Sequence, residues 1–160
     1  MEIQRLLLKG VMAHSVHEEG EFISSIFVRP KRNGSYRMIL NLKSLNQYAE
    51  YHHFKLGTIW TAVHMMTSGC FMASIDLKDA YYSVHMDYLH QKYFKFSWKG
   101  NLYQFTCFPN GMELRPPKFT KLLKPVYSTL LMKGHLPVGY INDSYLQAAE
   151  FAHCVTLLTQ

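Results

Sequence analysis

Phe71-Met72-Ala73-Ser74-Ile75-Asp76-Leu77-Lys78-Asp79-Ala80-Tyr81-Tyr82-Ser83-Val84 is the stretch on which the reading of the fold turns. Its apolar run, Phe71 to Ile75, has the length and bounding signals of a covered strand, and Asp79 stands where an N-cap would open a helix running to Val84. Asp76 then lies at a strand end. Burying a lone carboxylate is strongly unfavourable, so such a position suits a divalent cation or an arginine partner. A plain strand-end aspartate before a helix would carry the same local sequence, and this stretch alone does not separate the two.

A second stretch separates them. Leu136-Pro137-Val138-Gly139-Tyr140-Ile141-Asn142-Asp143-Ser144-Tyr145-Leu146 reads as a hairpin, two short apolar or aromatic runs around an Asn-Asp pair suited to a tight turn. Phe108-Pro109-Asn110-Gly111 lies between the two in chain order. The combination resembles the ordered motif set of reverse transcriptases. Phe27-Val28-Arg29-Pro30-Lys31-Arg32-Asn33-Gly34-Ser35-Tyr36-Arg37-Met38-Ile39, with Leu42-Lys43-Ser44-Leu45-Asn46, resembles the family's fingers hairpin and the segment after it. Ser74 to Tyr81 is similar to its first palm motif. Tyr103-Gln104-Phe105 through Gly111, with Lys118-Phe119-Thr120, is similar to its second, and Tyr140-Ile141-Asn142-Asp143 to its third. The resemblance covers nearly the whole chain. The wording of Ile141 to Leu146 is nearest to retrotransposons of the tyrosine-recombinase (DIRS-like) kind.

The resemblance implies an α+β fold, the fingers and partial palm of a right-hand polymerase, with an antiparallel sheet and helices packed on one face. It puts the fingers at about 1–55 and 84–114 and the palm at about 56–83 and 115–160. Because the chain stops soon after the third motif, the rest of the palm, the primer grip and the thumb are expected to be absent. The ribonuclease H and recombinase regions that serve integration in such elements are expected elsewhere in a parent polyprotein.

The implied activity is RNA-directed DNA polymerisation on an RNA or DNA template-primer from deoxynucleoside triphosphates. Two Mg²⁺ ions roughly 3.5 to 4 Å apart activate the primer hydroxyl and neutralise the pyrophosphate in such chemistry. Asp76 and Asp143 match two of the family's three catalytic aspartates, with the Leu77 backbone carbonyl as a further metal ligand. Asn142 occupies the place of the third acid. An amide oxygen donates a lone pair but brings no charge, whereas Mg²⁺ prefers anionic oxygen, so polymerase activity is expected to be very weak or absent. Lys31 and Arg37 match residues that grip the triphosphate, Arg bidentately and Lys as a point charge. Backbone amides at Asp79 and Ala80 match triphosphate donors at a helix start. Tyr81 matches the steric gate against a 2′-hydroxyl, Asn110 a contact to the nucleotide's sugar end, and Gly111 a tight backbone turn. Glu113 and Pro116 depart from the family pattern.

Composition fits one domain. With 160 residues, 48% of them hydrophobic, the chain can bury a core, and a net charge of +6 with pI near 9.2 admits an acidic polymer as partner. Cys70, Cys107 and Cys154 are widely spaced and odd in number, which reads as buried thiols in a reducing compartment; the nine histidines form no zinc motif. Without a membrane-length apolar run or secretory leader, a cytoplasmic or nuclear location is expected, with no membrane partner. Oligomeric state is not legible.

The remaining elements follow from local pattern. Helices are predicted over Glu2–Lys9, Thr58–Met66, Pro117–Met132 with a kink at Pro125, and Ala148–Leu158, and a helical turn over Ser44–Glu50. Strands are predicted over Ser24–Arg29, Tyr36–Leu42, Tyr93–Trp98 and Leu102–Cys107. Phe54 and Trp60 are read as core rather than as base-stacking platforms. Two other readings stay open: a catalytically dead nucleic-acid-binding or protein-interaction module derived from a retroelement, and a chain too incomplete to fold stably.

Overall fold

Apolar residues alternating on either side of Lys99-Gly100 build the first sheet of the molecule. The structure, a computed structural model, describes residues 2–31, 34, 36–50, 59–133, 137–141, 143–152 and 154. In chain order its elements are α1 (Glu2–Leu8), β1 (Met12–His14), β2 (Ile26–Pro30), β3 (Tyr36–Leu40), α2 (Lys43–Asn46), α3 (Ile59–Met65), β4 (Phe71–Asp76), a 3₁₀ turn (Ala80–Ser83), α4 (Tyr88–Gln91), β5 (Lys95–Trp98), β6 (Asn101–Phe105), α5 (Arg115–Met132), β7 (Val138–Tyr140) and β8 (Asp143–Ala148). They fall into two compact units, Met1–Tyr51 with Tyr81–Arg115, and His52–Ala80 with Pro116–Gln160.

In the first unit β1, β6 and β5 form an antiparallel sheet, and β2 pairs with β3 as a separate hairpin. Phe96 and Tyr103 stack at 5.3 Å between ring centres, with Phe105 beside them. Ile3 and Leu6 of α1 and Met38 and Leu40 of β3 close the same core. One residue breaks the apolar logic of β5. Lys95, between Phe94 and Phe96, is wholly buried, and its Nζ donates to the Val16 carbonyl (2.7 Å) and to the carboxylates of Glu18 (2.7 Å) and Glu21 (2.9 Å). An ammonium out of water is tolerated only when so paired. Burial pushes Lys95 down, but its hydrogen bonds to Glu18 and Glu21 outweigh that and raise its pKa. The same bond from Lys95, helped by His17, lowers Glu21 to about 2.

In the second unit the sheet order is β4-β8-β7, all antiparallel. Tyr127 of α5 reaches one face of this sheet, where its hydroxyl pairs with Ser144 Oγ at 2.8 Å beside Gly139. On the other face Gln147 Nε2 donates to the Met65 carbonyl at the end of α3 (2.6 Å).

Several local expectations need correction. β4 is an edge strand rather than a covered one, with Phe71 and Met72 exposed, because no strand flanks its outer side among the described residues. Asp79 is no N-cap: its φ is +55°, and a single 3₁₀ turn follows instead of an α-helix. Trp60 is 67% exposed, so it is not core. β8 runs through Ala148, where a helix was expected to begin. The helix predicted from Pro117 starts two residues earlier, at Arg115, while its end at Met132 and the inclusion of Pro125 are as predicted. Phe54, Thr58, Gly134, Asn142 and residues 155–158 lie outside the described residues.

Two glycines and one carboxylate yield tests. A Cβ on Gly111, whose φ is +110°, would overlap the Leu40 carbonyl oxygen, whereas one on Gly139 would meet the movable Tyr127 side chain. In urea titrations Gly139→Ala is expected to cost about 1–3 kcal/mol, relieved in part by Tyr127→Leu, and Gly111→Ala to cost more because backbone cannot give way. Glu21 has a folded pKa below its ordinary 4.5, so its stabilisation is fully present above about 4.5 and is lost as pH falls toward 2. Thermal melts of Glu21→Gln and the unaltered chain should therefore differ at pH 7 and converge across that acid range; a gap that does not narrow would contradict the pairing.

Candidate functional site

The antiparallel register of β4 and β8 sets Asp76 directly opposite Asp143, with Ser74 opposite Tyr145 on the same face. Residues so paired have Cβ atoms roughly 4.5–5.5 Å apart with side chains on one side of the sheet. Both carboxylates are exposed. Two like charges in this relation oppose the pairing by roughly 0.2–1 kcal/mol, so packing elsewhere must hold the register. It does so from the opposite face, where Ser144, the residue after Asp143, is buried and tied to Tyr127.

β7 and β8 meet through the pair Tyr140 and Asp143, leaving two residues for the turn. Ile141, one of them, has φ +60°. Two-residue hairpin turns demand positive φ, and a β-branched side chain there is strained. The strain adjoins Asp143. Asn142, the other turn residue, lies outside the described residues.

Chemically, two exposed carboxylates side by side offer hard, anionic oxygens that fit a divalent cation. The Leu77 carbonyl, one residue past Asp76, accepts from the Ala80 amide at 3.3 Å and keeps a second lone pair. The same bond engages the Ala80 amide that the sequence assigned to a triphosphate. Among the described residues no group of three or more His, Cys, Asp or Glu side chains could hold a metal ion. The pair of carboxylates thus stands without a third acid there.

A second cluster lies within the first unit. Arg115 places its guanidinium carbon 3.7 Å from the centre of the Tyr81 ring. Its Nη1 donates to the Pro109 carbonyl (3.0 Å) and to Asn110 Oδ1 (2.6 Å). Asn110 Nδ2 donates in turn to the Met38 carbonyl (2.9 Å) and the Tyr82 hydroxyl (2.8 Å). The backbone joins in: Leu40 N–H donates to the Asn110 carbonyl, and Asn46 Nδ2 to that of Gly111. Burial pulls Arg115 down to about 10, with Arg37 acting the same way against Tyr81 and Tyr82, so the group stays charged at neutral pH. Arg37 is directly opposite Arg29 on the β2–β3 hairpin, and both are exposed, as is Lys31.

The structure therefore brings Asp76 to Asp143, and Tyr81 to Asn110 through Arg115. Sequence reasoning missed Arg115, whose charge in a Pro-rich helix start reads as an ordinary solvated residue. It also missed Arg29, which only strand register marks.

Residues 29–155 match the family described as reverse transcriptase (RNA-dependent DNA polymerase). The Retrovirus-related Pol polyprotein from transposon opus of Drosophila melanogaster is 23% identical over 152 residues, 94% of this chain and 15% of that protein. The Pol polyprotein of equine infectious anemia virus (isolate 1369) is 26% identical over 135 residues, 78% of this chain and 11% of that protein. The chain therefore spans a small part of the curated relatives it matches. Among solved structures, the foamy viral protease-reverse transcriptase in complex with dsDNA aligns at TM-score 0.83 and 20% identity, covering 98% of this chain and 32% of that one. This likeness shows the fold, the mixed α+β fingers and palm region with antiparallel sheets.

The register can be tested without reference to activity. In Asp76→Cys/Asp143→Cys, mild oxidation should join the two introduced cysteines, whose Cβ separation of roughly 4.5–5.5 Å needs little adjustment for a disulfide. Asp76→Cys/Tyr145→Cys, off register, should not cross-link. Peptide mass mapping distinguishes them.

Proposed function

The chain belongs to the reverse transcriptase (RNA-dependent DNA polymerase) family, and from that premise we propose that it is the nucleotidyl-transfer portion of a retroelement polymerase whose metal site lacks one of three acids. The observation that carries the reading is the pairing of Asp76 with Asp143 across two strands. Asp76 and Asp143 would hold Mg²⁺, with the Leu77 carbonyl assisting and Asn142 as a degenerate fourth donor. Bound there, Mg²⁺ supplies activation of the primer hydroxyl and neutralisation of the departing pyrophosphate.

The chain's other residues bind and orient. Lys31 and Arg37 take the triphosphate of the incoming deoxynucleotide, Arg37 through its planar fork. Arg29, opposite Arg37, raises the positive potential of the same hairpin. Backbone amides at Asp79 and Ala80 match the family's triphosphate donors, the Ala80 amide by exchanging its bond to Leu77. The Tyr81 ring excludes a 2′-hydroxyl, and Asn110 with Gly111 shapes the wall beside it. Basic residues attract the template-primer in a salt-dependent way. Asn142 favours a second reading, a retroelement-derived module that binds nucleic acid without catalysis. The wording of Ile141 to Leu146 supports descent from tyrosine-recombinase (DIRS-like) elements, and the free cysteines support a cytoplasmic or nuclear setting.

Primer extension in Mg²⁺ tests the reading. The unaltered chain should extend a primer barely or not at all, and Asn142→Asp should raise the rate by more than the roughly ten- to hundredfold that a supporting metal contact is worth. Normal Mg²⁺-dependent synthesis by the unaltered chain would overturn it. Salt-sensitive template binding with no gain from Asn142→Asp would select the second reading.

A further inference from the structure

We infer that Arg115 is a positioning residue for sugar selection: by locking the Tyr81 ring and the Asn110 amide into one frame, it sets the preference for deoxyribonucleotides over ribonucleotides. This rests on the assignment of Tyr81 as the gate. A gate that works by exclusion is only as selective as its ring is immobile, and Tyr81 sits on a four-residue 3₁₀ turn, a short element with little rigidity of its own. The stiffness must come from outside the turn.

Arg115 supplies it. Its guanidinium carbon lies 3.7 Å from the ring centre, well inside cation–π range, so the ring rests on a charged plane. The plane is itself pinned, since Nη1 is shared between the Pro109 carbonyl and Asn110 Oδ1. Arg115 is also half-buried and is the first residue of the 18-residue α5. Asn110 completes the frame from the other side. Both hydrogens of its amide are spent, one on the Met38 carbonyl of β3 and one on the Tyr82 hydroxyl. The 3₁₀ turn is thereby held twice, Tyr81 by Arg115 and Tyr82 by Asn110, and both holds end on the same β3 backbone. Asn110 acts here as a strut. A lysine at 115 would retain the charge, and its ammonium could reach the same two acceptors, but it lacks the planar group that lies over the Tyr81 ring.

A purely structural role for Arg115, fastening the loop of Pro109 and Asn110 to α5, would weaken binding of every nucleotide alike. Sugar positioning changes a ratio. NMR titration of the isotopically labelled full chain with Mg·dATP and with Mg·ATP measures that ratio without requiring catalysis. The unaltered chain should bind dATP the more tightly, and Arg115→Ser should reduce the dATP-to-ATP affinity ratio by roughly ten- to a hundredfold, the scale on which misplaced positioning groups act. Arg115→Lys should shift the ratio the same way to a smaller extent, and it decides the matter should Arg115→Ser not fold. An unchanged ratio in folded variants, with the unaltered chain discriminating, overturns the role of Arg115 and leaves the proposed function standing. Binding of neither nucleotide by the unaltered chain overturns both.

Discussion

The register between β4 and β8 is the constraint on which the account depends. In an antiparallel sheet side chains alternate with a period of two, so a slip of one residue, setting Asp76 opposite Ser144 for example, would turn Asp143 to the opposite face. The register is held against the mutual repulsion of the two carboxylates by what lies behind them. Leu146 and Ser144 are buried, and Tyr127 fills the space that Gly139 leaves open. The tight turn at Ile141 fixes the other end at the cost of a left-handed, β-branched residue. Strain and repulsion are thus placed where a cation would relieve the second of them.

The first unit meets a different demand, rigidity beneath a short turn. Its apolar core is compact and aromatic, yet two cations are built into or against it. Lys95 is fully buried and consumed by Glu18, Glu21 and a carbonyl, which fixes the loop over residues 15–24 onto β5. Arg115 is only half-buried and is consumed by a ring, a carbonyl and an amide oxygen. Each ties a loop to the sheet-bearing unit through charge-assisted hydrogen bonds.

Much of this was legible in the sequence because it follows from short-range pattern. The alternation around Lys99-Gly100, the hairpin reading of the stretch ending at Leu146, and the ordered Asp76, Asn110 and Asp143 motifs led to the right sheets and to the family, although the turn falls one residue earlier than the Asn-Asp pair, with Asp143 already in β8. What failed depended on long-range context. Phe71-Met72 looks covered by composition, but only the strand order reveals that β4 is an edge. Trp60 has helical spacing typical of core and nevertheless faces solvent. Asp79 has the identity of a helix cap, yet its φ is positive and only a 3₁₀ turn follows it. Arg115 and Lys95 were invisible for the same reason: nothing local says that a cation lies over a ring, or that a strand lysine points into protein.

The central claim is that Asp76 and Asp143 bind one cation site together. Paramagnetic Mn²⁺, added in substoichiometric amounts to the isotopically labelled chain, tests it most directly through the broadening of nearby amide signals. The account requires signals flanking Asp76 and those flanking Asp143 to broaden in parallel, and Asp143→Ala to abolish the effect at both strands. Broadening confined to one strand, or centred on histidines elsewhere, would contradict it.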